Sequence, residues 1–235
     1  MSQPFNLTNP GRILRVGVVL LKGIVEIIDV APVDQIHQIS DRFVNPLPPS
    51  VVPDDLKPYA IKTEYHWVSE AGPGTLVNGT SGIVVSPTDS FETCPPLDIV
   101  VVPASASANA SEAELDFLRK TYDESAAFIT ICFGMSAPLQ AGILEGKTAT
   151  APRFRLDTFR EMAPGTNWID KRWARDGKLW TSGALLNGLH LMSAFIQETW
   201  GSSEQGARLV GAMAEMGAWP DGSPEYDEEE GKPFP

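Results

Sequence analysis

The chain is poor in sulfur and in imidazole: its 235 residues include two cysteines, Cys94 and Cys132, and three histidines. Two thiols make no disulfide framework and fit a reducing, cytosolic setting. With no H-x-x-x-H pair and no cysteine–histidine cluster, neither a metal nor another cofactor is expected. No apolar run approaches the roughly 18–20 residues that span a bilayer. The opening residues 1–7 lack a basic stretch followed by an apolar one, which argues against a secretory signal. Basic charge is scarce too, with 18 Lys and Arg against 30 Asp and Glu, a net −12. Nucleic acid and anionic membrane both need a basic surface, so neither is expected as a partner.

Apolar residues make up 43% of the chain, enough for a full core. Residues 14–21 are nearly continuous apolar and β-branched, the pattern of a strand covered on both faces. A helix is expected near residues 34–39, and further strands at 61–69, 82–85 and 97–102. Ser111-Glu112-Ala113-Glu114 is a capping box that opens a helix. A short helix is expected at 138–144, a hairpin turning at Asp176-Gly177, and two closing helices near 185–199 and 203–216. This rhythm predicts an α/β fold, a three-layer αβα sandwich around a largely parallel, flavodoxin-like sheet. The expected organisation is an arm over 1–13, one domain over 14–219 with a proline-rich insertion at about 41–60, and an acidic tail over 220–235 whose residues 225–230 read as solvated.

The most informative stretch is Ala127-Phe128-Ile129-Thr130-Ile131-Cys132-Phe133-Gly134. An apolar strand stops at a thiol and a helix-like segment begins at once. Such an elbow lifts its central residue above the sheet edge, where a helix N-terminus favours the thiolate. Cys132 is therefore a candidate nucleophile; a buried, inert cysteine at a strand end is the other reading.

Several segments together resemble the ThiJ/PfpI superfamily, cysteine-centred proteins of the class I glutamine amidotransferase-like fold. They are Arg15-Val16-Gly17-Val18-Val19-Leu20, Ile27-Ile28-Asp29-Val30-Ala31-Pro32, Pro95-Pro96-Leu97-Asp98 with the strand after it, the Cys132 elbow, Ala141-Gly142-Ile143-Leu144-Glu145-Gly146, and Asp176-Gly177-Lys178-Leu179-Trp180. The resemblance implies a sheet of six or seven strands, helices on both faces and a homodimer. It also implies an acid beside the cysteine, here Asp29. A buried, protonated carboxyl could hold a hydrogen bond to sulfur and exchange a proton with substrate. A helix N-cap is the other reading of Asp29, and Glu26 is an alternative acid.

The chain departs from the family pattern in two places. Where many relatives carry a histidine after the elbow helix, it reads Ala151-Pro152-Arg153-Phe154, which puts a protease-like Cys–His pair in doubt. Where a glycine pair usually frees backbone amides for an oxyanion site, it has Ala104-Ser105. The expected donors are the amides of Phe133 and Ser105, with Ser136 as a polar lining group or a plain surface serine. His190 and Arg153 are secondary candidates, Arg153 and Arg172 for an anionic substrate. Cys94 reads as a buried small residue. Trp67, Trp168, Trp173 and Trp180 read first as packing.

The leading functional expectation is a cofactor-independent, cysteine-dependent lyase or hydratase acting on a small electrophilic molecule, with isocyanide hydration the nearest chemistry. A glyoxalase-like conversion of 2-oxoaldehydes, a peptidase or amidase, and a non-enzymatic binding or redox-sensing protein are the alternatives.

Overall fold

The computed structural model describes residues 5–106 and 109–226. Of the expected tail, residues 227–235 lie outside the described residues. In chain order the elements are β1 (Leu14–Val19), α1 (Ile27–Val30), α2 (Val33–Gln38), α3 (Asp41–Val44), β2 (Thr63–Ser69), β3 (Val77–Asn78), β4 (Val84–Val85), β5 (Asp89–Ser90) and β6 (Ile99–Val102). Then follow α4 (Glu112–Glu124), β7 (Ala127–Thr130), α5 (Ser136–Gln140), β8 (Thr148–Ala149), α6 (Leu156–Met162), β9 (Asn167–Trp168), β10 (Trp173–Asp176), β11 (Leu179–Ser182), α7 (Asn187–Trp200) and α8 (Glu204–Met216).

Seven strands form the main sheet in the order β10-β11-β7-β6-β1-β2-β5. All its pairs are parallel except the β10–β11 hairpin, which turns at Asp176-Gly177 as the sequence predicts. Alternation along the strands explains the two cores. Ile99 and Val101 face one layer with Val33, Ile36, Leu191 and Phe195 of α2 and α7. Val100 and Val102 face the other with Phe117, Leu118 and Phe159 of α4 and α6. Each such side chain contributes about 1.5–3 kcal/mol by leaving water, and both sheet faces are covered. That is the three-layer αβα sandwich the sequence predicts. No helix among the described residues is long and apolar enough to cross a membrane.

Three local expectations need correction. The strand expected at 82–85 is β4, which pairs with β3 in a separate two-stranded ribbon rather than joining the sheet. The proline-rich stretch at 41–60, expected to be irregular, carries α3 and a 3-10 turn over Lys57–Tyr59. The helix after the elbow starts earlier and is shorter than expected, because Cys132–Met135 winds as a 3-10 turn before α5. The capping box is as read: Ser111 Oγ accepts from Glu114 N at 3.2 Å and Glu114 Oε2 from Ser111 N at 2.7 Å.

The two ends of the sheet are built differently. At the N-terminal end of β6, the Asp98 carboxylate accepts from Arg12 Nη1 at 2.7 Å, Arg12 Nη2 at 2.6 Å and Arg15 N at 2.9 Å. This tethers the N-terminal arm. At the opposite end the strand order reverses, since β1 pairs with β2 on one side and β6 on the other. A crevice at such a reversal is where ligands bind in open α/β sheets.

Candidate active site

Four chain segments converge at that crevice. From the end of β7 comes the elbow. Cys132 has φ +57°, a left-handed conformation that a non-glycine residue rarely holds without support. The support is close packing: a Cβ on Gly134 would lie 2.0 Å from the Val102 carbonyl oxygen, so the turn needs glycine to sit against β6. The elbow thereby presents a cysteine that is only 6% exposed.

From the loop after β1 comes α1 with Asp29, whose side chain is wholly buried. Asp29 is not an N-cap; that position is Glu26, which makes no side-chain cap, and Asp29 stands one turn inside. Its Oδ2 accepts from the backbone N–H of Ala104 at 3.1 Å, and its Oδ1 has no hydrogen-bond partner. Burial raises this carboxyl to about 7, against the Ala104 hydrogen bond and with help from the negative Glu26. Glu26 itself accepts from the Thr80 hydroxyl at 2.8 Å, which turns it toward the β3–β4 ribbon.

The third segment is the loop after β6, which carries Ala104, and the fourth is the loop between β11 and α7. Burial pushes the Cys132 thiol up to about 11, with the Asp29 charge adding, against hydrogen bonds from the backbone N–H groups of Leu185 and Phe133. The sulfur thus sits between two amide donors and beside a carboxyl. The expectation that the elbow helix would favour the thiolate is corrected here. A 3-10 turn and a five-residue helix aim little dipole at the sulfur, and desolvation outweighs the amides. The hydrogen bond expected between Asp29 and sulfur is not formed; the two groups interact through charge.

The other sequence candidates fall as follows. The Ala104 N–H is committed to Asp29, so Ala104 is not an oxyanion donor. The Ser105 hydroxyl donates to the Lys22 carbonyl at 2.6 Å, which leaves its amide as the group still able to serve. Phe133 gives its amide to the sulfur and its ring to Phe154 and Phe159. Phe133, Gly134, Ser105 and Ser136 line a slot of about 20 Å³ with Leu21 and Lys22, room for one water and no more.

Arg153 donates from Nε to Asp170 at 2.9 Å and lies over the Tyr226 ring at 4.7 Å. The nearly buried Arg172 lies over the same ring at 5.8 Å. Both arginines are thus engaged at the Tyr226 ring. His190 faces Asp221 at 3.5 Å rather than the elbow. Cys94 is half-buried, pushed up to about 12 by burial and then by the charge of Asp89. Trp180 is core, its ring tilted against Trp173 and edge-on to Phe195. Sequence reasoning missed the Leu185 amide, since any residue carries an amide; the strained φ of +25° at Leu185 becomes visible only in the fold.

A doubly covered parallel sheet with a cysteine elbow at its strand-order reversal defines the class I glutamine amidotransferase-like proteins. Residues 47–198 match the DJ-1/PfpI family, and the chain belongs to it. The matched range holds Cys132 and leaves Asp29 outside, so the acid's placement rests on the geometry above. Isonitrile hydratase of Pseudomonas putida is 31% identical over 155 residues, 63% of this chain and 66% of that protein, just under two thirds of its length. A ThiJ/PfpI family protein from Pseudomonas syringae superposes with a TM-score of 0.66 at 15% identity, over 93% of this chain and 80% of the other. DJ-1beta of Drosophila melanogaster gives 0.65 at 15% identity, covering 89% and 100%. An AraC family transcriptional regulator from Pseudomonas putida gives 0.64 at 16% identity, covering 86% and 98%. At these identities the structural likenesses establish the fold alone.

Proposed function

We propose that this protein is a cofactor-independent hydratase for small isonitrile-like molecules, with Cys132 as nucleophile and Asp29 as its proton carrier. The observation that supports this most is the Asp29 carboxyl: buried, free at one oxygen, poised near neutrality, and coupled to a sulfur held by two amides. A group that titrates at working pH can both take and return a proton.

The thiol proton passes to Asp29 as sulfur bonds to the terminal carbon of R–N≡C. Asp29 returns the proton to that carbon, leaving the thioimidate R–N=CH–S–Cys132. Water adds to the same carbon, giving one proton to Asp29, which passes it to nitrogen. Loss of the hydroxyl proton and departure of sulfur yield R–NH–CHO and the thiol, with one water consumed. The raised thiol favours this concerted use of Asp29 over a redox sensor, which needs a standing thiolate. A small-molecule substrate and a homodimer belong to the same proposal, the latter measurable by sedimentation.

Formamide production from a panel of short alkyl and aryl isonitriles, followed by NMR, tests the reading. Cys132→Ser is expected to lower turnover by at least about a thousandfold, and Asp29→Asn by about a hundredfold or more. In the wild type kcat/KM should rise with pH through about 7, where Asp29 becomes a base, and this rise should vanish in Asp29→Asn. A wild type inactive on the whole panel would reject hydration and leave the second reading, a binding protein of the same family.

A further inference from the structure

The segment that follows α8 runs back across the molecule and ends against the loop that holds the sulfur. Its course is pinned at each step. Asp221 faces His190 of α7 at 3.5 Å, the Trp173 indole donates to the Gly222 carbonyl at 2.9 Å, and the Arg172 N–H donates to the Pro224 carbonyl at 2.8 Å. Glu225 pairs with Lys171. The Tyr226 ring then lies beneath the guanidinium groups of Arg153 and Arg172.

The Tyr226 hydroxyl donates to Asn187 Oδ1 at 3.0 Å, and the same oxygen accepts the Ala184 N–H at 3.0 Å. Gly183 donates from its N–H to the Arg172 carbonyl at 2.7 Å, and a Cβ on Gly183 would lie 2.6 Å from the Tyr226 hydroxyl. Ala184 and Leu185 follow directly, and Gly188 at the start of α7 packs so closely on Ile131 beside the elbow that a Cβ there would lie 2.8 Å from Ile131 Cγ2, which brings the Leu185 N–H to the Cys132 sulfur. Leu185 itself is strained and 41% exposed, so little apolar packing holds it there.

We propose that Tyr226 is a positioning residue: through Asn187 it holds the 183–186 loop over Cys132, which fixes the Leu185 amide on the sulfur and restricts what can reach it. The inference rests on the reading of Cys132 as the reacting group, and on no particular substrate. Without the hydroxyl, Asn187 keeps the Ala184 contact but loses its tie to the tail, and the strained loop relaxes outward. Access to the sulfur then widens for bulky molecules more than for small ones.

Two neutral thiol reagents of different size read this directly, iodoacetamide and pyrenylmaleimide, each assigned to its cysteine by peptide mass spectrometry. Both react through the same thiolate, so the ratio of bulky to small rates cancels ionisation. In Tyr226→Phe the ratio at Cys132 should rise about fivefold, the factor one hydrogen bond is worth. Tyr226→Ala, which also loses the stacking under the arginines, should raise it further. Cys94, half-buried elsewhere, should keep its wild-type ratio in both variants. An unchanged ratio at Cys132 in both variants, or a matching rise at Cys94 that marks general loosening, would overturn the proposal. No isonitrile enters the measurement, so its failure is separate from failure of the hydratase reading.

Discussion

Asp98 and Asp29 are both buried aspartates, one before β6 and the other in α1 at the opposite end of the sheet, and they are treated in opposite ways. Asp98, at the N-terminal edge, receives three donors and ties down the arm. Asp29, at the C-terminal edge, receives one and keeps an oxygen unpartnered. The first arrangement satisfies a charge, so it stabilises. The second raises the carboxyl to about 7 and leaves it ready to move a proton. Backbone conformation divides along the same line, since the elbow and the Leu185 loop hold two of the four positive-φ non-glycine residues of the described chain. Backbone strain at Cys132 and Leu185 and an unpartnered Asp29 oxygen thus meet where the chemistry is proposed.

The largest expected effect breaks the elbow itself. In Gly134→Ala the added Cβ meets the Val102 carbonyl oxygen of β6, backbone against backbone. A loss of about 3 kcal/mol or more follows, read as a fall in Tm of about 6 °C or more. Next comes the satisfied aspartate. Asp98→Ala strands the Arg15 amide and frees Arg12, for about 2–3 kcal/mol of lost stability. Arg12 is half-exposed and partly recovers its hydration, which holds the figure to that range.

The third effect has the opposite sign and sharpens the comparison most. Asp29 binds its proton more tightly folded, at about 7, than unfolded, near the model-peptide value of 3.8. Between those two values the folded state holds more protons, so stability falls as pH rises, and the whole penalty is present above about 7. Asparagine keeps the Ala104 hydrogen bond without the charge. Asp29→Asn should therefore raise Tm at pH 8, by up to about 4 kcal/mol of stability or about 8–16 °C, and change it little at pH 4. Calorimetry at the two pH values checks this; a destabilised variant at pH 8 would remove the idea that the buried charge is held at a cost.

Much of this was legible in the sequence. Continuous β-branched runs gave the buried strands, because a parallel strand must be apolar on both faces. Cys132 and Asp29 were legible because their segments, an apolar run ending in a thiol and Ile27-Ile28-Asp29-Val30, carry side-chain identities. The Leu185 amide was not, since a backbone donor leaves no mark in composition. The thiol's raised pKa was hidden for a similar reason: it depends on how deeply the finished fold covers the sulfur. The β3–β4 ribbon was misread because two-residue strands are decided by tertiary pairing rather than by local preference.

The candidate site is assembled from residues near 29, 104, 132 and 185, and this spacing bears on how the chain is made. During synthesis Cys132 emerges well before Leu185 and α7 exist. Until then its thiol is an ordinary one that ionises near about 8.5 and lies open to oxidants. Completion of the last sheet strand and α7 buries the sulfur and moves it to about 11. Completion of the fold thus turns an open thiol into a sheltered one, and the fall in its labelling rate would time the final long-range step of folding.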